Sequence, residues 1–329
     1  MLGVVVIGAG RIGRIHAENL NRHPLADIRY IVDVVDSAAA DLAALCGAKV
    51  GTVDVALADK AVDVVVIASS TDTHAELIGR AARSGKAIFC EKPLDLDAAT
   101  ARQSVEIVEQ FGITMCVGFN RRHDPSFDRL KQDIDEGIVG DVEVVSITSR
   151  DPSPPPLEYI EKSGGLFRDM MIHDFDMGRW LLGEEPVEVF ACGGALADKN
   201  IGKAGDIDTA IAVLKTASGR LCQITNSRRC SYGYDQRIEV FGSNGMVRAG
   251  NARPTLVESA DSRGFHKDPV LPFFLERYAD AYRLQMDKFL RVVNGEAITI
   301  PQGPDGLRAL QIADAAQLAL ETGRPVSID

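Results

Sequence analysis

Near the start of the chain, between an apolar run and a helical pattern, stands Gly8-Ala-Gly-Arg-Ile-Gly13. The run before it, Gly-Val-Val-Val-Ile at 3–7, has no alternation, as expected of a parallel strand covered on both faces. Each glycine has a use in such a turn: a tight reversal, close approach of backbone to a pyrophosphate, and helix-on-strand packing. The helix that follows presents free N–H groups to phosphate. Alone the pattern is weak, and a glycine turn that binds nothing is the competing reading. Its place between strand and helix strengthens it, and so does Asp33, which stands 20 residues beyond Gly13 and closes a second apolar run at 28–32. A carboxylate there accepts the adenosine ribose hydroxyls and repels the extra phosphate of NADP, so NAD is favoured. No arginine follows to hold a 2′-phosphate: the next residues are Val34, Val35 and Asp36.

The same alternation continues downstream. Residues 62–68 form another apolar run, closed by the polar turn Ser69-Ser-Thr-Asp-Thr-His74. A helix is expected over 75–83, a strand over 87–90, a helix over 97–111 and a strand over 113–117. Strands alternating with helices imply right-handed crossovers and a doubly wound parallel sheet. After about residue 140 the period changes. Strands are expected at 142–148, 187–192, 207–215, 220–227, 237–241 and 246–249, several of them separated by turn residues with no room for a helix. That pattern suits a mostly antiparallel sheet. One helix interrupts it at about 167–182, and two more fall near 275–294 and 304–322. The segment Asp151-Pro-Ser-Pro-Pro-Pro156 admits neither helix nor central strand and is expected as a rigid loop. The expected architecture is α/β, with an NAD-binding Rossmann domain over 1–120. A second α+β domain over 121–329, with a large, mostly antiparallel open sheet, would bind substrate and mediate oligomerisation. A chain of 329 residues suits two domains.

Charge and cysteine usage narrow the partners. With 36 Lys+Arg against 47 Asp+Glu the formal charge is −11, and no basic run is longer than two residues. Phosphate backbones would be repelled, which excludes nucleic acid as a partner. No apolar stretch approaches the ~20 residues needed to span a bilayer, so no membrane is expected. Residues 1–7 lack the positive flank of a secretory signal. Cys46, Cys90, Cys116, Cys192, Cys222 and Cys230 are scattered without a CxxC pair, mostly in strand-like contexts. Reduced thiols in a cytoplasmic protein are the expectation, and no metal is expected because no ligands are spaced for zinc.

Two further motifs bear on chemistry. Glu91-Lys92-Pro93 ends the strand at 87–90, on the side where open parallel sheets bind ligands. The Lys92 ammonium can donate to a substrate oxygen and stabilise an alkoxide. A surface lysine is the plainer reading of that tripeptide alone. Asp169 and His173 are four residues apart on an expected helix and so share a face. A carboxylate beside an imidazole orients it and stabilises its protonated form, as a general base needs. The plainer alternative is an i,i+4 ion pair.

Taken together, Gly8–Gly13, Glu91-Lys-Pro93 and Asp169-xxx-His173 resemble, in order and spacing, the glucose–fructose oxidoreductase, inositol dehydrogenase and rhizopine catabolism (Gfo/Idh/MocA) family along essentially the whole chain. Within it, the segment from Ser149 to Met177, Gly118-Phe-Asn-Arg-Arg-His-Asp124 and Gly323-Arg-Pro-Val326 are similar to the bacterial myo-inositol 2-dehydrogenase branch. The resemblance implies oxidation of a ring hydroxyl of myo-inositol to the ketone, with NAD as acceptor. It also implies a catalytic trio of Lys92, Asp169 and His173. Cofactor contacts would come from Gly8, Gly10, Arg11, Ile12, Gly13, Asp33, Ser69, Ser70, Thr71, His74, Glu91 and Lys92. Asn120, Arg121, Asp151 and Tyr232 would join Asp169 and His173 near the substrate. A homotetramer formed through the open face of the second sheet is implied as well. Three alternatives stay open: a dehydrogenase of another cyclitol or sugar (scyllo-inositol, glucose or a galactose type), a non-catalytic sugar or dinucleotide sensor, and an enzyme that recycles a tightly held NADP, which Asp33 opposes.

Overall fold

The valine runs form the middle of a six-stranded parallel sheet in the computed structural model, which describes residues 1–328. Its strands are β1 (Leu2–Ile7), β2 (Ala26–Val32), β3 (Lys49–Val50), β4 (Val64–Ile67), β5 (Ala87–Cys90) and β6 (Met115–Val117). They lie in the order β3-β2-β1-β4-β5-β6, and every pairing is parallel. Strand order reverses between β1 and β4, and in such sheets ligands bind beyond the carboxyl ends of the strands at that reversal. Val4, Val5 and Val6 of β1 are fully buried, as a strand covered on both faces requires. Helix α1 (Arg11–Asn21) buries Gly13, His16, Ala17 and Leu20, a stripe with the i, i+3, i+4, i+7 spacing of a helix packed by one side. Residues 34–61, where no element is expected above, hold the helices Asp36–Cys46 and Val53–Ala58 and the edge strand β3.

The chain divides into two compact units, and the first is discontinuous: Met1–His123 with Asp280–Leu310. A single cut at 120/121 does not describe this partition. The reason lies in the helix Ala279–Val293, expected from sequence to belong with the second domain. Its Met286, Phe289 and Leu290, with Ile300, join Val4, Val6, Ile31, Val64, Val66 and Phe89 in one buried cluster. Phe89 and Phe289 have ring centroids 5.8 Å apart. Val117 of the edge strand β6 donates its N–H to the Pro301 carbonyl at 2.9 Å.

The second unit comprises Asp124–Ala279 and the segment from Gln311 onward. Its sheet contains β7 (Val142–Arg150), β8 (Pro186–Gly194), β9 (Thr209–Thr216), β10 (Leu221–Ser227), β11 (Asp235–Gly242) and β12 (Gly245–Ala249). A separate, exposed hairpin follows, β13 (Glu258–Asp261) with β14 (Gly264–Lys267), and β15 (Val326–Ser327) returns to the main sheet. The order is β12-β11-β7-β10-β9-β8-β15, with β7–β10 the parallel pair in an otherwise antiparallel sheet. Burial alternates along β9, β10 and β11, so one face is covered and the other open. The helix Ile172–Leu182 packs on the covered face so closely that a Cβ on Gly178 would lie 3.1 Å from the Cys222 sulfur. The helix expected over 167–182 has two parts: Phe167–Met171 winds as a π-turn, and the α-helix begins at Ile172. Among the described residues no helix is long and apolar enough to cross a membrane.

Candidate active site

In the first unit the glycine turn has the shape its sequence calls for. Gly8 has φ +104°, and a Cβ there would lie 2.4 Å from the Ala68 carbonyl oxygen at the end of β4. A Cβ on Gly13 would fall 1.8 Å from the Gly8 oxygen, so α1 packs on β1 only through glycine. A Cβ on Gly10 would meet nothing within 4 Å. That open side, at a helix start with no capping side chain and no acid in its first turn, fits a dinucleotide pyrophosphate. Arg11 and Ile12 form the first helical residues there.

Asp33 follows β2 directly and does more than the sequence reading assigned to it. One carboxylate oxygen accepts from the Ala9 N–H at 2.6 Å and the other from the Val35 N–H at 2.8 Å. It therefore clamps the glycine turn, while the remaining lone pairs stay available to a ribose. The neighbouring Val34 is fully exposed.

The polar turn after β4 is held by its own side chains. The Ser69 and Thr73 hydroxyls are 2.6 Å apart, and the Thr73 hydroxyl donates to the Ser70 carbonyl at 2.7 Å. Thr71 opens the short 3-10 turn Thr71–Thr73. His74, expected at the cofactor, is instead buried (1% exposed), with Nδ1 2.8 Å from the Pro93 carbonyl and Nε2 3.2 Å from that of Ser69. Burial pushes its pKa down and so favours the neutral ring. His74 thereby ties the loop after β4 to the loop after β5.

Glu91 was also expected at the cofactor. Its Oε1 lies 2.6 Å from Nε2 of His16, and its Oε2 accepts from the Lys92 N–H at 3.3 Å. Lys92 itself is half-buried at the end of β5. Asn120 and Arg121 are buried in the 3-10 turn Asn120–His123 beyond β6, where Arg122 pairs with Asp305 at 2.9 Å. Burial, with Lys288 and Arg122 nearby, pushes the His123 imidazole down to about 3.

In the second unit the π-turn carries Asp169. Tyr159 donates to one of its oxygens at 2.8 Å, and the buried Arg228 donates to the other at 3.0 Å. Arg228 also lies 3.8 Å from Asp206. Desolvation around the Tyr159 hydroxyl and the Asp169 charge raise the phenol's pKa, and Asp151 adds further negative charge beside it. Tyr159 thus remains a donor. Asp151, just past β7, donates its N–H to the Ser227 carbonyl at 2.9 Å. The structure so gathers Asp151 and Asp169, two residues the sequence singled out, around Tyr159 and Arg228, which it did not. A buried arginine is costly without carboxylate partners, but nothing in the spacing of Arg228 says which carboxylate that would be. His173 is half-buried in the first turn of the helix Ile172–Leu182. Beside it, the fully buried Asp174 accepts from Asn226 of β10 at 2.9 Å and pins that turn to the sheet. Tyr232 has its hydroxyl committed elsewhere: it donates to Asp235 at 2.6 Å and accepts from Arg150 at 2.7 Å. These two residues face each other in the β7–β11 register, so Tyr232 braces the sheet end rather than offering a free hydroxyl.

Family models match both parts of the chain. Residues 2–119 match the model of the oxidoreductase family's NAD-binding Rossmann fold, and residues 131–328 match that family's C-terminal alpha/beta domain. The chain belongs to the Gfo/Idh/MocA oxidoreductase family. As such it is an NAD-binding oxidoreductase. It is similar to the Inositol 2-dehydrogenase of Rhizobium meliloti (strain 1021), with 49% identity over 323 residues and 98% of each chain covered. Among solved structures it resembles a myo-inositol dehydrogenase from Corynebacterium glutamicum, with TM-score 0.95, 40% identity, and 100% and 99% of the two chains covered. It also resembles scyllo-inositol dehydrogenase from Lactobacillus casei with bound NAD(H) and scyllo-inositol, with TM-score 0.92, 29% identity, and 100% and 99% covered.

Proposed function

We propose that this family member oxidises one ring hydroxyl of myo-inositol to the ketone. The observation that carries the reading is the end-to-end similarity to proteins named Inositol 2-dehydrogenase, at 49% identity, and Myo-inositol 2-dehydrogenase, at 46%. The chemistry is assigned to Lys92, Asp169 and His173. His173 takes the hydroxyl proton as the carbinol is oxidised. Asp169, held by Tyr159 and Arg228, supplies a fixed negative charge that steadies the imidazolium so formed. The Lys92 ammonium donates to the substrate oxygen and stabilises its developing charge. NAD, when bound, would supply the hydride acceptor. The residues that would hold it are Gly10 with Arg11 and Ile12 at the open side of the turn, Asp33 for the ribose, and Ser69, Ser70 and Thr71. Asn120, Arg121 and Asp151 hydrogen-bond the other ring hydroxyls, and a wrong stereoisomer would leave such polar groups unpaired. A neutral polyol needs no cationic clamp, which suits a chain of net charge −11. The protein works as a homotetramer in the cytoplasm, in keeping with its open sheet face and with the buried thiols of Cys90, Cys116, Cys222 and Cys230. A second reading, scyllo-inositol as substrate, draws on the Lactobacillus casei complex, at lower identity.

His173→Ala tests the assignment of the base. Turnover should fall by roughly 10²–10⁴-fold, while the dissociation constant for NAD changes little. Unaltered turnover would remove His173 from the mechanism.

A further inference from the structure

The first unit contains a buried histidine–carboxylate hydrogen bond that this mechanism leaves unused. His16 lies on the inner face of α1, fully buried, with its ring edge-on to Phe89 (centroids 5.0 Å apart) and to Tyr282 (5.9 Å). Its Nε2 is 2.6 Å from Oε1 of Glu91, whose side chain is only 13% exposed. The other carboxylate oxygen accepts from the backbone N–H of Lys92. Gly118 makes room for this rotamer: a Cβ there would lie 2.7 Å from Oε2 and 2.8 Å from the carboxyl carbon. Each oxygen of the carboxylate is therefore committed within the unit, one to α1 and one to the peptide that carries Lys92.

We infer that Glu91 is a positioning residue for Lys92, braced by His16, and not a cofactor ligand. The inference rests on the role given to Lys92 above. A hydrogen bond to the Lys92 N–H fixes the orientation of its peptide and hence the root of its side chain. Without it, the ammonium is delivered less accurately to the substrate oxygen, and small misplacements of a catalytic group are expensive. The bond to His16 fixes the carboxylate in turn, on the same helix whose first turn faces the pyrophosphate. The signal in the sequence is the pairing of a histidine three residues after the last glycine of GxGxxG with the acid before the lysine and the glycine at 118.

A double-mutant cycle with NAD and myo-inositol tests this, and it separates positioning from general damage. Glu91→Ala should lower kcat by roughly 10- to 100-fold and leave the NAD dissociation constant, read by fluorescence, within about threefold. Glu91→Gln keeps an acceptor toward the Lys92 N–H and should recover most of that loss. In a Lys92→Ala background, Glu91→Ala should cost less than about twofold more, because the group it positions is gone. His16→Phe, which keeps a ring but removes the bond, should follow the same pattern with a smaller loss and serves if Glu91→Ala does not fold. An undiminished effect of either variant in the Lys92→Ala background would overturn the inference. So would weakened NAD binding with intact kcat, which would return Glu91 to the cofactor. If Lys92→Ala itself left kcat unchanged, the assignment of Lys92 would fall first, and that result is distinct from the other two.

Discussion

Asp33 shows how one side chain can serve both fold and ligand. From its place at the end of β2 it is expected to accept ribose hydroxyls, and it also accepts the Ala9 N–H at 2.6 Å, so the glycine turn depends on it. Replacing Asp33 by Ser with Val34 by Arg removes a negative charge and adds a cation on a fully exposed site. The ratio of kcat/KM for NADP over NAD should then rise by roughly 10²-fold, each tenfold being about 1.4 kcal/mol. The lost clamp should weaken both cofactors together, since a hydrogen bond to a charged group contributes about 1.5–3 kcal/mol. Steady-state kinetics with each cofactor checks both parts, and an unmoved ratio would put the ribose elsewhere. His74 and Tyr232 carry the opposite lesson. Both are polar residues in positions that point to ligands, yet their polar atoms are committed to protein partners. The Pro93 and Arg150 partners lie 19 and 82 positions away, and no local pattern encodes them.

At the scale of elements, the parallel strands and the glycine turn were legible because their signals are local: continuous valines, glycines at fixed offsets, an acid at the expected distance. The helix Ala279–Val293 was legible as a helix but not as part of the first unit. Its apolar stripe states that it packs, not against what, and the partner cluster lies more than 150 residues earlier in the chain. Phe289 is the test of that placement, being fully buried and in ring contact with Phe89 of β5. Phe289→Ala should destabilise the first unit by about 3–5 kcal/mol, read as a lower urea midpoint and weaker NAD binding near it. A change under about 0.5 kcal/mol, the size of an ordinary surface substitution, would contradict the packing. The π-turn at Phe167–Met171 escaped the sequence reading for another reason: its residues are as compatible with an α-helix. π-turns occur often at functional sites, and this one presents Asp169 to Tyr159 and Arg228.

Over the whole molecule, the dinucleotide turn and the two matched family domains make the chain an NAD-binding oxidoreductase, and the substrate proposed for it is an uncharged polyol. The change of period near residue 140 revealed the two architectures, because a mostly antiparallel sheet with a solvated face alternates where a buried parallel sheet does not. The braces of the proposed site were less visible. Glu91 on His16 and Arg228 on Asp169 join residues 75 and 59 positions apart, distances at which pairing follows only from the fold. The most direct measurement is the rate of NADH formation by the purified protein with NAD, across myo-inositol, scyllo-inositol, glucose and galactose at alkaline pH. The account predicts turnover with kcat/KM highest for myo-inositol, by roughly tenfold or more over the sugars, as hydroxyl-reading sites discriminate. NAD binding without turnover of any polyol would contradict it and point to a sensor instead.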